Sequence, residues 1–512
     1  MVCSVDHLAS GAGVAMLRSG GTAADAAVAA SAVLAVTTQH MCGMGGDLFA
    51  LVHHAPGDAP AALNASGRAG SGADADRLLA EGHRAVPFRG DIRAATVPGC
   101  VDGWVALHDR FGRLALAEVL APAIAYAAGG FPASAGLALS HRAVADVAES
   151  QDYAPLRDGG VGTLIHRGGV AAALQAVAEG GRDAFYLGGF GQGLRELGGG
   201  LYSEGDLVTS QAEWVEPLGL QAWGHDLWTL PPNSQGYLSL AGAWLAERLP
   251  LPDDPDDQAW AHLLVEAAKQ AGYDRLDTLH DRADGALLVA EDRLGPRLSA
   301  IGERAAPLPA PGRAGGTIYL CAVDADRMAV SLIQSNASGW GCHVVEPSTR
   351  IFLHNRAIGF TLEPGHPARL EAGRRPPHTL APALVTSPDG GLRAVLGTMG
   401  GDAQPQVVLQ LAARLLHCGQ TPGTAVAAGR WRLSSDQPSG FDTWAHPGDI
   451  VVEVEGHAAP WEAGLAERGH RVRRIEPHSG AFGHAHMIEV TPDDVLAGAA
   501  DHRARNGGAV GW

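Results

Sequence analysis

Glu303-Arg-Ala-Ala-Pro-Leu-Pro-Ala-Pro-Gly-Arg-Ala-Gly-Gly316 runs directly into Thr317-Ile-Tyr-Leu-Cys-Ala-Val323. The first segment, rich in Pro, Ala and Gly, reads as an exposed linker. The second is an unbroken apolar run of strand length. Asp324-Ala-Asp-Arg-Met328 makes a turn and Ala329-Val-Ser-Leu-Ile-Gln334 a second strand, so a buried β-hairpin follows the linker. Taken alone, the stretch reads first as a plain linker before a strand. Its chemistry lies in the residue that opens the strand. A threonine hydroxyl is a poor nucleophile, but an N-terminal threonine carries its own base, the free α-amine. An α-amino pKa of about 7.7–8.0 suits proton transfer near neutrality. Such an amine exists only if the chain is cut between Gly316 and Thr317, and glycine leaves that carbonyl open to attack.

Outward from the hairpin, helical and strand signals alternate. Ala23–Val36 is a strong helix former, and the glycines of His40–Val52 suggest a tight turn feeding a buried strand. Val97-Pro98-Gly99 is a turn before a helix with apolar Val101, Trp104, Val105 and Leu107. Leu116–Ala128, Gln258–Leu298, Gln406–Leu416 and Pro460–Glu467 read as helical, and 130–200 as helices and loops. Arg393–Leu396, Ile450–Val454 and His486–Val490 are further strand candidates. No internal repeat is found. The pattern predicts sheet packed on sheet, covered by helices.

Composition excludes several classes. The 512 residues are 46% hydrophobic and 18% charged, as in a folded enzyme, and the formal net charge is −18, which repels nucleic acid. Lys269 is the single lysine, so no Walker lysine follows a glycine loop, and Schiff-base chemistry would have to use that residue. Gly189-Phe-Gly-Gln-Gly193 lacks the context of a dinucleotide loop. The six cysteines form no CxxC, and His484 and His486 have no further ligand at a recognised spacing. No cofactor and no metal are expected. Thr22–Val36 is too short and polar for a membrane span, and Met1-Val-Cys-Ser-Val-Asp-His7 has no basic region before an apolar stretch, so the expectation is a cytoplasmic protein.

Seven motifs in order resemble the gamma-glutamyltransferase family of N-terminal-nucleophile hydrolases: Gly21-Thr-Ala-Ala-Asp-Ala-Ala-Val-Ala-Ala, Gly43-Met-Gly-Gly-Asp-Leu-Phe, Val97-Pro-Gly with Leu107-His-Asp-Arg-Phe-Gly-Arg113, Leu230-Pro-Pro-Asn-Ser-Gln-Gly236, Val330-Ser-Leu-Ile-Gln-Ser335, Arg374-Arg-Pro376 and Gly397-Thr-Met-Gly-Gly401. The resemblance implies an α+β fold, a four-layer α-β-β-α sandwich. It implies self-cleavage before Thr317 into a large chain, 1–316, and a small chain, 317–512, associated as one compact unit; a homodimer of these pairs is also allowed. Thr317 would then attack a substrate carbonyl, forming an acyl-enzyme resolved by water or an amine. Gly400 and Gly401 match the paired glycines whose N–H groups form the oxyanion hole. Ser335 and Asn336 match polar residues that orient the nucleophile and bind substrate, and Arg68 matches an arginine that grips the substrate carboxylate.

The chain departs from the family's transpeptidases in Asn355-Arg-Ala-Ile-Gly-Phe360. The acidic residue that holds the donor's ammonium is replaced by Gly359, Arg356 stands where many members have a different polar residue, and His378-Thr379 replace a paired-serine site. Arg356, His378 and Thr379 are therefore candidate substrate-binding residues. An unpaired buried ammonium is costly, so an acyl or keto-acid substrate without that amine is expected rather than a standard γ-glutamyl donor. The departures resemble the gamma-glutamyltransferase-like branch of acylases and amidohydrolases, with relatives in natural-product pathways that hydrolyse a carbon–carbon bond beside a carbonyl. A true glutathione hydrolase and an uncleaved, non-catalytic binding protein are the remaining readings.

Overall fold

The helix Ala23–Thr37 shows how the core begins. Thr22 caps it, with Asp25 closing the reciprocal capping box, and every residue of the helix is buried. A helix made of Ala, Val, Ser and Leu on all sides has no wet face and packs inside. The structure is a computed structural model that describes residues 1–306, 318–435, 443–444 and 449–512. Gly316, Thr317 and most of the linker lie outside the described residues.

Two antiparallel sheets dominate. The seven-stranded sheet runs, in spatial order, Gly508–Val510, Val2–Ser4, Ile318–Val323, Ala329–Ser335, Asp47–His53, Ala61–Ala65 and Glu213–Val215. The six-stranded sheet runs Leu496–Ala500, Ala485–Val490, Leu392–Thr398, Ala383–Thr386, His225–Thr229 and Leu218–Ala222. Both sheets draw strands from before and after position 317. A smaller sheet joins Trp431–Ser434, Val451–Glu455 and Val472–Ile475.

The period-two rule of strands sorts side chains into separate cores. Tyr319, Cys321 and Val323 pack with Phe49, Leu51, Leu384, Val395 and Ile488 in a cluster shared by the two large sheets. Their neighbours Ile318, Leu320 and Ala322 join a second cluster with the helices Ala23–Thr37, Cys100–Phe111 and Leu116–Gly129. Ala383, Val385, Leu396 and Met487 join a third with Tyr237–Glu247, Gln258–Gly272 and Gln404–Ala412. Mixed α and β structure with several sheets therefore matches the expected α+β class.

The hairpin is present as Ile318–Val323 and Ala329–Ser335, and the other expected strands appear as Leu392–Thr398, Val451–Glu455 and Ala485–Val490. The stretch 258–298 is broken into Gln258–Gly272, Arg275–Thr278, Gly285–Leu288 and Glu291–Ser299. The lone lysine is structural here: Lys269 Nζ donates to Glu266 Oε1 at 2.6 Å and to the Ala306 carbonyl at 2.8 Å, beneath the surface. Among the described residues, no helix is long and apolar enough to cross a membrane.

Candidate active site

Strand pairing brings distant segments to one edge of the seven-stranded sheet. Ile318, which follows Thr317 in the chain, pairs with Gln334, while Ser335 pairs with Asp47 and Leu48 with Ala65. The glycine turn before Asp47 lets this edge close. A Cβ on Gly46 would stand 2.3 Å from the Ser335 carbonyl oxygen, so no larger residue fits.

Asp47 is fully buried at the centre of a polar cluster. Arg356 Nε donates to its Oδ2 at 2.8 Å, and His378 Nε2 meets the same oxygen at 2.8 Å. Arg356 reaches onward: Nη2 donates to Ser335 Oγ at 3.0 Å and Nη1 to Thr379 Oγ1 at 3.3 Å. His354 Nδ1 lies 3.5 Å from Asp47 Oδ2, and its Nε2 contacts Thr96. Burial alone would raise the Asp47 pKa, but the Arg356 guanidinium, together with the imidazoles of His378 and His354, holds it well below the carboxylate range. Burial, and then Arg356, pushes His378 down to about 4 against the pull of Asp47. His378 is therefore neutral near pH 7. Its Nδ1 accepts the Leu380 N–H at 3.2 Å, which assigns the proton to Nε2, facing the carboxylate.

A second glycine turn follows a strand of the six-stranded sheet. Strand Leu392–Thr398 delivers Gly400 at φ +136° and Gly401 at φ +60°, just before the helix Gln404–Ala412. Among the described residues, neither glycine N–H meets a backbone carbonyl. Gln235, fully buried, fixes the turn: its Nε2 donates to the Gly401 carbonyl at 3.0 Å and to the Thr379 carbonyl at 2.9 Å. One amide thus joins the glycine pair to the Arg356 cluster. Asn336 is held through Nδ2, which donates to the Gln39 carbonyl at 2.9 Å, while its buried Oδ1 has no hydrogen-bond partner among the described residues.

Arg68 belongs to a second group. Its Nη2 donates to Glu213 Oε2 at 3.0 Å, and Arg375 Nη2 reaches that same oxygen at 3.2 Å. Arg375 Nη1 also donates to the Ser66 carbonyl. Ser66 Oγ accepts from Asn233, whose Nδ2 also donates to the Pro376 carbonyl at 2.7 Å. The two groups are thus joined by Ser66, Asn233 and the segment from Arg375 to Thr379. At Gly359, a Cβ would stand 2.4 Å from the Pro377 carbonyl, so a carboxylate side chain there would require the backbone to move.

Arg356, Ser335, His378 and Thr379 thus meet within one hydrogen-bonded cluster, and Gly401 is tied to it. Asp47, His354, Gln235, Arg375 and Glu213 were not among the candidate site residues. Three of them sit inside motifs that were noticed: Asp47 ends Gly43-Met-Gly-Gly-Asp47, Gln235 lies in Pro231-Pro-Asn-Ser-Gln235, and Arg375 in Arg374-Arg-Pro376. A charge opening a buried strand was the available signal for Asp47. Among the described residues, no group of three His, Cys, Asp or Glu side chains is placed to hold a metal ion.

A family model for gamma-glutamyltranspeptidase matches residues 9–512. The chain belongs to the gamma-glutamyltranspeptidase family. The oxamate amidohydrolase proenzyme of Klebsiella pneumoniae subsp. pneumoniae is 37% identical over 100% of this chain and 98% of its own. The glutathione hydrolase-like YwrD proenzyme of Bacillus subtilis is 35% identical over 100% and 98%. The crystal structure of cephalosporin acylase from Bacillus halodurans, 30% identical, superimposes with a TM-score of 0.88 over 100% of this chain and 95% of that one. Within the gamma-glutamyltranspeptidase family this is a hydrolase related to acylases and amidohydrolases.

Proposed function

We propose that the protein is an N-terminal-threonine amidohydrolase, made by cleavage before Thr317, that acts on a small carboxylate-bearing amide with no free α-amino group. Oxamate is the model substrate, in keeping with the 37% identical amidohydrolase. The carrying observation is the charge state of the site. Its buried carboxylate, Asp47, is engaged by Arg356 and His378, and position 359 has no room for a carboxylate side chain. Among the described residues, Asp47, Asp402 and Glu213 each already face an arginine, so an ammonium group would have to compete with an existing ion pair, whereas Arg68 and Arg375 offer a carboxylate two guanidiniums.

In this reading the two chains, 1–316 and 317–512, form a four-layer α-β-β-α sandwich, supported by the three separate hydrophobic clusters. The Thr317 amine takes the proton from its own hydroxyl as the oxygen attacks the amide carbonyl. The N–H groups of Gly400 and Gly401 receive the oxyanion. Collapse of the tetrahedral intermediate expels ammonia, which carries the proton away. Water then attacks the acyl-threonine and releases the second carboxylate, so oxamate and water give oxalate and ammonia. Arg356, held by Asp47, keeps Ser335 and Thr379 in place, and Asn336 Oδ1 accepts an N–H of the substrate amide.

Denaturing electrophoresis and mass spectrometry of the small chain after exposure to substrate test this. Two chains, and an acyl adduct on Thr317 with oxamate, are expected, with Thr317→Ala remaining a single chain. Strong turnover of γ-glutamyl-p-nitroanilide, or a wild-type protein that stays full length, would overturn the reading.

A further inference from the structure

Glu213 occupies an unusual place for a surface carboxylate. It opens the edge strand Glu213–Val215, with its backbone opposite Asn64. Its Oε2 alone bridges Arg68 and Arg375, at 3.0 and 3.2 Å. The three partners differ in burial: the Arg375 side chain is 6% exposed, Arg68 28% and Glu213 54%. Arg375 is also constrained by the Ser66 and Gln211 carbonyls, and Arg68 Nη1 reaches the Ser210 carbonyl at 3.3 Å. The guanidiniums are thus built in, and the anion between them is the loosest member of the group.

The neighbouring charges leave room for a second anion. Asp281 accepts the Arg375 N–H at 3.1 Å, but its ion pair is with Arg374, which also reaches Glu371. Arg68 and Arg375 therefore share one carboxylate between two positive charges. Burial, and next the charge of Arg68, lower the Arg375 pKa to about 10, which still leaves both guanidiniums charged at pH 7.

We propose that Glu213 is an internal competitor for the substrate carboxylate: it occupies the Arg68–Arg375 pair in the empty site and swings toward solvent when a carboxylate binds. This rests on the reading of Arg68 as the carboxylate-binding residue and adds a determinant of its selectivity. The swing is open to Glu213 because its side chain is more than half exposed and its backbone is fixed in the strand. Glu213 then sets the affinity for an anionic substrate and has little effect on a neutral one. A structural brace for Arg68 would act in the opposite direction, because its removal would loosen the arginine.

The test compares wild type with Glu213→Gln, which keeps the shape and removes the charge. Oxamate and its uncharged counterpart oxamide are the substrates, and calorimetric binding of oxalate gives a readout independent of turnover. The expected result is a KM for oxamate lowered about fivefold, the effect of one half-exposed charge, with less than a twofold change for oxamide. Oxalate should bind about fivefold tighter, and the gain should shrink with added salt. Glu213→Asp, which keeps the charge on a shorter arm, should fall between the two. An unchanged or raised oxamate KM, or an equal shift for oxamide, would overturn the proposal. If neither protein turns over oxamate, the amidohydrolase reading fails by itself and the calorimetry decides: tighter oxalate binding by Glu213→Gln supports the competitor, while equal, weaker or absent binding removes it.

Discussion

Arg356 Nε and Asp47 Oδ2 stand 2.8 Å apart with side chains 3% and 0% exposed, and the same guanidinium donates to Ser335. The pair is a buried ionic hinge between the strand that starts at Asp47 and the segment after Asn355. A buried pair contributes little net stability over an apolar one, but removing one partner strands the other charge.

Asp47→Asn should therefore lose about 3–5 kcal/mol of stability in urea unfolding. The double variant Asp47→Asn with Arg356→Gln should recover part of that loss, because no uncompensated guanidinium remains. A single variant that costs less than about 1 kcal/mol would show that the Arg356 charge is neutralised elsewhere.

Acid sensitivity should begin above the carboxylate range. His378 has a folded pKa of about 4 against an ordinary value of 6.5, and His40 and His484 are likewise lowered to about 4, mainly by burial. A lowered histidine pKa means that the unfolded chain binds protons first, so stability falls as pH drops from about 6.5 to about 4. For His378 alone the loss is about 3 kcal/mol, from about 1.4 kcal/mol per pKa unit. The Asp47 contribution persists through that window, because its lowered pKa postpones protonation until below pH 3.8. Unfolding free energies measured at several pH values should show this slope, and His378→Gln should reduce it by about one proton. A flat profile between pH 4 and 6.5 would contradict the assignment.

At Gly401, φ is +60°, and at Gly400 it is +136°. A Cβ on Gly400 would meet nothing nearer than Ala403 Cβ at 3.5 Å, so backbone strain rather than crowding limits that position. Gly401→Ala should cost about 1–2 kcal/mol in stability. If the amides receive the oxyanion, kcat should fall about 100-fold or more, far beyond the effect on folding. Activity that merely tracks the folded fraction would remove the glycine pair from the oxyanion role.

Gln235→Leu fills the same volume and deletes the donor shared by the Gly401 and Thr379 carbonyls. Two buried acceptors lose that partner, a cost of about 2–4 kcal/mol. Misplacing the glycine turn should lower kcat more than it raises KM. Thermal unfolding with steady-state kinetics checks both, and an unchanged kcat would show that the turn is held by other contacts.

Local patterning sufficed for the elements whose causes are local. The helix-forming run Ala23–Val36 announces the helix Ala23–Thr37, and the turn at Asp324–Met328 announces the hairpin. Strands lacking such signals went unseen. Val2–Ser4 and Gly508–Val510 have three residues each, too few for a periodicity, and exist because the hairpin edge recruits them. The residues of Leu218–Ala222 and His225–Thr229 alternate only weakly, and their turn, Trp223-Gly224, relies on positive φ at both positions.

The same division runs through the site. The motifs singled out Ser335, Arg356, His378, Thr379 and the glycine pair, because residue type at a family position is written in one dimension. That Asp47 neutralises Arg356 from 309 residues away and accepts the His378 N–H hydrogen bond from 331 away is a matter of distance and burial. Electrostatic energy depends on separation and on the exclusion of water, and neither exists until the sheets close. Chain order alone therefore named the groups, while folding chose their partners and left two arginines sharing Glu213.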